Sequence, residues 1–217
     1  MEVLYGNIIY FFIKKNKTNT ILDMNEIIEI KRKEFEVIEQ LGDRSFKATR
    51  KGQYYFLKKF EDDAKGFEKF VDAEHKLRVS GVVNPKCLIY DKKTRIAVTE
   101  FIEGDTCLEA LLGGELPETV IELLFKTFWY ARTDRMALDY SPENFKFVNG
   151  KLYYLPFKVE AFVDKEKFIQ QDIRLWFFTK DFIKYCRLKG IPVDESHLKS
   201  DYEVNKSIAL LTVKYYR

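Results

Sequence analysis

Histidine and cysteine are scarce in this chain of 217 residues. The two histidines, His75 and His197, are far apart, and the neighbours of His75 offer no metal-ligand spacing. Three cysteines, Cys87, Cys107 and Cys186, are odd in number and contain no CxxC pair, which argues against both a disulfide framework and a structural zinc site. A reducing, cytoplasmic setting is the expectation. Charge of one sign is also missing: Lys+Arg 37 against Asp+Glu 34 gives a net charge of +3, too balanced for nucleic acid to be the main ligand. Nor is there a long hydrophobic run. The apolar stretch Ile8 to Ile13 gives way to Lys14 and Lys15, far short of the roughly 20 residues that cross a bilayer, and no signal-peptide cleavage pattern follows it.

What is abundant is apolar and aromatic side chain. Hydrophobic residues make up 46% and aromatics 16%, enough to bury a substantial core without staples. Residues 1–33 alternate short apolar stretches with polar breaks and read as an N-terminal extension of short strands, including Glu26 to Ile30. From Phe35 the pattern is strand, turn, strand, strand, with a Lys51-Gly52 turn before Gln53 to Phe60. Apolar residues at Phe67, Phe70, Val71, Leu77 and Val79 then predict one helix ending before Ser80-Gly81. Two more strands, Cys87 to Tyr90 and Arg95 to Phe101, follow. Beyond Gly104 the pattern turns helical: Thr106 to Leu112, Pro117 to Met136, and Asp172 to Leu188. A hairpin is expected around Asn149-Gly150. Trp129 and Trp176 fall at apolar helical positions and are assigned to the core, Cys107 is expected to be buried and unreactive, and Lys65, Lys69 and Lys76 read as a solvated face.

Three motifs stand out within this order. Tyr55-Phe56-Leu57-Lys58 ends a strand, Ala73-Glu74-His75-Lys76-Leu77 lies on the single inserted helix, and Leu138-Asp139-Tyr140-Ser141-Pro142-Glu143-Asn144-Phe145 precedes the small hairpin. Together, over roughly residues 35–190, they resemble the protein kinases and kinase-like phosphotransferases. The resemblance implies an α+β, two-lobed fold: an N-lobe over 34–103 with an antiparallel five-stranded sheet plus one helix, and a reduced, mainly helical C-lobe over 104–217. It also implies roles. Lys58, with Lys59 as the alternative, would reach nucleotide phosphates and pair with Glu74; Gly42 would lie in the phosphate turn; Glu100 and Ile102 would meet an adenine. Asp139 would orient an acceptor hydroxyl, Asn144 would bind a metal, and Asp172 would brace the Asp139 loop.

The chain departs from the family in three places. The turn Leu41-Gly42-Asp43-Arg44-Ser45-Phe46 keeps one glycine where the family commonly has two or three, and it adds the charge of Asp43. Pro156 occupies the position of the metal-binding aspartate and brings neither a carboxylate nor an amide proton, which weighs against Mg²⁺; Glu160 is the nearest substitute ligand. Ala137 and Leu138 replace the usual His and Arg. The expectation is therefore a pseudokinase that binds a protein partner and ATP weakly, without efficient phosphoryl transfer. An active atypical kinase using Lys58, Glu74, Asp139 and Asn144 is the alternative, and an unrelated α+β interaction domain is a third reading. The tail from Pro192 to Arg217 is short for the family and implies a pared-down helical half.

Overall fold

The computed structural model describes residues 26–60, 63–114, 116–195 and 198–215. The expected strands over Asn7 to Ile13 and Thr20 to Asp23, and His197, lie outside the described residues. Within them the protein is α+β and divides into two compact units, one formed by the described residues up to Arg78 with Pro85–Glu103, the other by Val79–Asn84 with the described residues from Gly104 onward.

The first unit is built on hairpins. Strands β1 (Ile27–Ile30), β2 (Lys33–Gly42), β3 (Ser45–Arg50) and β4 (Gln53–Lys59) pair in sequence, each antiparallel to the next. Alternation fixes which face is buried: in β2 Phe35 and Val37 are covered while Glu34 and Glu36 face out. Helix α1 (Ala64–Val79) intervenes before β5 (Cys87–Asp91), and β6 (Ile96–Glu100) returns to lie between β4 and β5. The sheet order is β1-β2-β3-β4-β6-β5, and every pairing is antiparallel. Ile30, Phe35, Ala48, Leu57 and Val98 form the centre of its apolar core.

This corrects the expected five strands to six. The extra strand is β1, assigned from the sequence to an extension ending at residue 33. That boundary cuts through a hairpin whose two turn residues, Lys31 and Arg32, take φ values of 49° and 63°. Such a turn is normally announced by Asn or Gly; here two basic residues adopt the left-handed conformation, so the signal is absent.

Helix α1 buries Phe67, Phe70, Ala73 and Leu77 and leaves Lys65, Lys69 and Lys76 in solvent. Phe60, at the end of β4, packs its ring 5.6 Å from Phe67 and 5.5 Å from Phe70. Asp63 accepts a hydrogen bond from the amide of Gly66 at 2.7 Å. A Cβ on Gly66 would meet the Asp63 carboxylate at 1.8 Å, so glycine there is what admits the cap.

The second unit opens with α2 (Cys107–Leu112) and α3 (Thr119–Thr133), then β7 (Met136–Ala137), a 3₁₀ turn over Pro142–Asn144, and the hairpin of β8 (Phe145–Val148) with β9 (Lys151–Tyr154). Strand β10 (Glu160–Ala161) pairs antiparallel with β7. Helices α4 (Glu166–Gln170), α5 (Lys180–Leu188) and α6 (Asp201–Tyr215) complete it, with a second 3₁₀ turn over Asp172–Trp176. Aromatic rings make the core: Phe128 stacks on Phe168 at 4.1 Å, and Phe145 meets Trp176 edge-on at 5.2 Å.

Two further expectations change here. The single helix over Asp172 to Leu188 is two elements, because Phe177 and Thr179 are extended and Thr179 caps α5 by accepting from the Phe182 amide. Trp129 is 47% exposed: Phe128, 3% exposed, takes the core position one residue earlier. Among the described residues no helix is long and apolar enough to cross a membrane.

Candidate functional site

The loop between β7 and β8 is where the sequence places Asp139 and Asn144, and it is held from several sides. Its start is fixed by the β7–β10 pairing, which sets Ala137 opposite Glu160. Its end is fixed by the 3₁₀ turn, entered through Pro142, whose ring supplies the required φ. Within the loop, Asp139 Oδ1 accepts from the Ser141 amide at 3.1 Å and from the Ser141 hydroxyl at 2.7 Å. Asn144 donates its side-chain amide to the Asp139 carbonyl at 3.2 Å, closing a six-residue loop. Asp139 and Asn144 are thus brought together, with the aspartate exposed and the asparagine half-buried.

The loop's electrostatics follow from these bonds. Partial burial alone raises the Asp139 carboxyl, but the hydroxyl and amide of Ser141, the Asn144 side chain and the nearby Lys158 ammonium outweigh it and hold it below the usual range. Asp172 behaves oppositely: burial, aided by the charge of Asp139 and resisted by Lys167, pushes its carboxyl from 3.8 to about 6. The brace that the sequence assigns to Asp172 is made by its neighbour on the same 3₁₀ turn. Trp176 donates its indole N–H to the Tyr140 carbonyl at 2.7 Å, inside the core. Sequence reading saw Trp176 only as an apolar residue. An indole near a turn of buried backbone is the signal, since a buried N–H must find an acceptor.

Pro156 lies just past β9, and the segment after it brings Lys158 rather than a carboxylate toward Asp139. Lys158 pairs with Glu160 at 3.2 Å, and its carbonyl accepts from the Tyr154 hydroxyl at 2.9 Å. Burial raises the Tyr154 phenol further above its ordinary range. Among the described residues, no group of three or more His, Cys, Asp or Glu side chains is placed to hold a metal ion.

In the first unit the remaining site residues are positioned by the sheet. Lys58 is exposed near the end of β4, and its ammonium rests 5.6 Å from the centre of the Phe60 ring. Glu74, 9% exposed on α1, pairs with Arg78 one turn along at 3.2 Å; Lys58 is not among the partners it makes. Lys59 is bound to Glu26 at 2.8 Å. Glu100 accepts from the Lys86 amide at 3.1 Å, and Ile102 follows β6, half-buried. Gly42 pairs with Ser45 across a two-residue turn in which Arg44, with φ 56°, takes the left-handed conformation. A Cβ at Gly42 would meet nothing within 4 Å, so no steric demand of the fold requires glycine there.

The thiols are inert: burial raises Cys107 and Cys87 to about 12, the latter helped by the charge of Glu74, and Cys186 to about 11. A cavity of about 830 Å³ in the second unit is lined by Leu111, Ile121, Leu210, Lys199 and, on one wall, Trp176. No protein-family model matches the chain, and no curated protein matches it.

Proposed function

We propose that the protein is a kinase-like scaffold, a pseudokinase, that binds a protein partner and binds ATP weakly without efficient phosphoryl transfer. The observation that carries this reading is the loop from Asp139 to Asn144. Its aspartate is kept ionised and its asparagine is tied to the aspartate's own backbone, yet Pro156 and Lys158 stand where a metal-binding carboxylate is needed. An ionised Asp without a metal anchor suits a remnant of phosphotransfer chemistry. The element order lends support: after the additional strand β1 come three antiparallel strands, one helix and two strands, then helices flanking a loop and a small hairpin. In this reading Lys58 is the phosphate-contacting lysine, and Gly42, Glu100 and Ile102 are the remaining nucleotide contacts.

The alternative, an active atypical kinase, draws on the same ionised Asp139, with Glu160, whose strand pairs with Ala137 at the start of the loop, as the substitute ligand. Thermal unfolding with ATP, in EDTA and in Mg²⁺ or Mn²⁺, separates the readings. Binding with a millimolar dissociation constant at several millimolar ATP stabilises the fold by about 1 kcal/mol, or about 2–4 °C for a chain of this size. The scaffold reading expects that shift to be the same with and without metal. A shift that grows with metal makes the atypical kinase the better reading, and the absence of any shift removes ATP from the proposal.

A further inference from the structure

We infer that helix α5 is the anchor that aims the Asp139 loop, with Glu143 as the positioning residue through which it acts. Glu143 lies in the 3₁₀ turn, one residue before Asn144. Its carboxylate takes two partners from α5 and its C-terminal cap: the Tyr185 hydroxyl, which donates to both oxygens, and the Lys189 ammonium. The same ammonium lies 4.6 Å from the centre of the Tyr185 ring, so the three groups close on one another. Ser141, two residues before Glu143 on the same turn, donates its hydroxyl to Asp139 Oδ1 at 2.7 Å.

A path therefore runs from Tyr185 and Lys189 to Glu143, and along the backbone of the turn to Ser141, whose hydroxyl holds the carboxylate of Asp139. Charge-assisted bonds of this kind are short and directional, and Glu143 and Tyr185 are both half-buried, where they are less screened than at the open surface. Apolar packing of Leu108 and Leu111 against Phe182 and Cys186 supports the α5 end of this path. Besides it, the turn is held by its own short-range bonds, by the Leu155 amide, which donates to the Asn144 carbonyl at 2.8 Å, and by the Trp176 bond to the adjoining Tyr140. The inference takes from the proposed function only that Asp139 and Asn144 are the working side chains of the loop.

The test is a ¹³C-detected NMR titration of the Asp139 carboxyl, assigned with Asp139→Asn, in the full chain. The variants are Tyr185→Phe, Lys189→Met, Glu143→Ala and Glu143→Gln. Lys158 and Asp172, the charged groups that act on Asp139 from neighbouring segments, are intact in all of them. Releasing the clamp with Tyr185→Phe or Glu143→Ala lets Ser141 leave Asp139, so the Asp139 midpoint moves upward toward the ordinary aspartate range. Glu143→Gln keeps an acceptor for the Tyr185 hydroxyl and stays near wild type. If Glu143→Ala does not fold, Tyr185→Phe and Lys189→Met carry the same comparison. An Asp139 midpoint that is unchanged in every folded variant while their unfolding temperatures fall makes the cluster a structural tie and overturns the inference. The titration requires no nucleotide, so a failure of ATP to bind wild-type protein would count against the proposed function and leave this result standing.

Discussion

Trp176 ties down the Asp139 loop and Asp172 lies within reach of the Asp139 charge, and each has a measurable signature. Asp172 has its carboxyl raised to about 6 by burial, so the fold favours its protonated form. Its contribution to stability is complete below about pH 4 and is lost as pH rises through about 6. Asp172→Asn should therefore flatten the stability profile between those limits and leave the protein more stable at pH 7.5, by on the order of 1 kcal/mol after allowance for solvent screening. Denaturant unfolding across that range checks it; a profile identical to wild type would show that Asp172 is not strained. Asp139, held low, acts with the opposite sign, its contribution being present at neutral pH and lost on acidification. Trp176→Phe keeps the ring packing but leaves the Tyr140 carbonyl without its indole donor, at a cost of about 2 kcal/mol. A loss well under that in urea unfolding would mean that water replaces the indole.

At the scale of elements, the sequence was most legible where turn chemistry and periodicity agreed. Lys51-Gly52 and Asn149-Gly150 each announce a hairpin, and both pairs take left-handed φ values in the structure, 52° and 74°, 50° and 73°. Helix α1 ends where Ser80-Gly81 predicts, and α2 is bounded by a capping box in which Thr106 and Glu109 satisfy each other's amides. Thr106→Ala removes the acceptor for the Glu109 amide and should cost about 1 kcal/mol, read as a lower denaturation midpoint with an unchanged slope. The misses have equally local causes. Glu26 to Ile30 was legible as a strand, but its pairing with β2 was hidden by a glycine-free Lys31-Arg32 turn. The break between the Asp172–Trp176 turn and α5 was hidden because Phe177 and Phe178 continue an apolar pattern through two residues whose backbone is not helical. Helix α6 spreads its apolar residues around its circumference, burying Val204 and Ile208 while leaving Leu210 and Val213 exposed, so periodicity gave no clear face.

For the whole molecule, spacing along the chain located the Asp139–Asn144 loop, and the structure shows those two residues bonded to one another. Spacing could not show the partners drawn from distant segments: Trp176 for Tyr140, and Tyr185 and Lys189 for Glu143. Those contacts depend on how helices pack, which periodicity does not specify. The central claim is that Pro156 deprives a kinase-like site of its metal. Calorimetric titration with ATP, in EDTA and in Mg²⁺, of wild type and of Pro156→Asp tests it most directly. The account predicts weak, metal-insensitive binding in wild type and binding that tightens with Mg²⁺ once the carboxylate is restored. Metal-strengthened binding in wild type, or a Pro156→Asp variant that binds ATP no differently with Mg²⁺ than without, would contradict it.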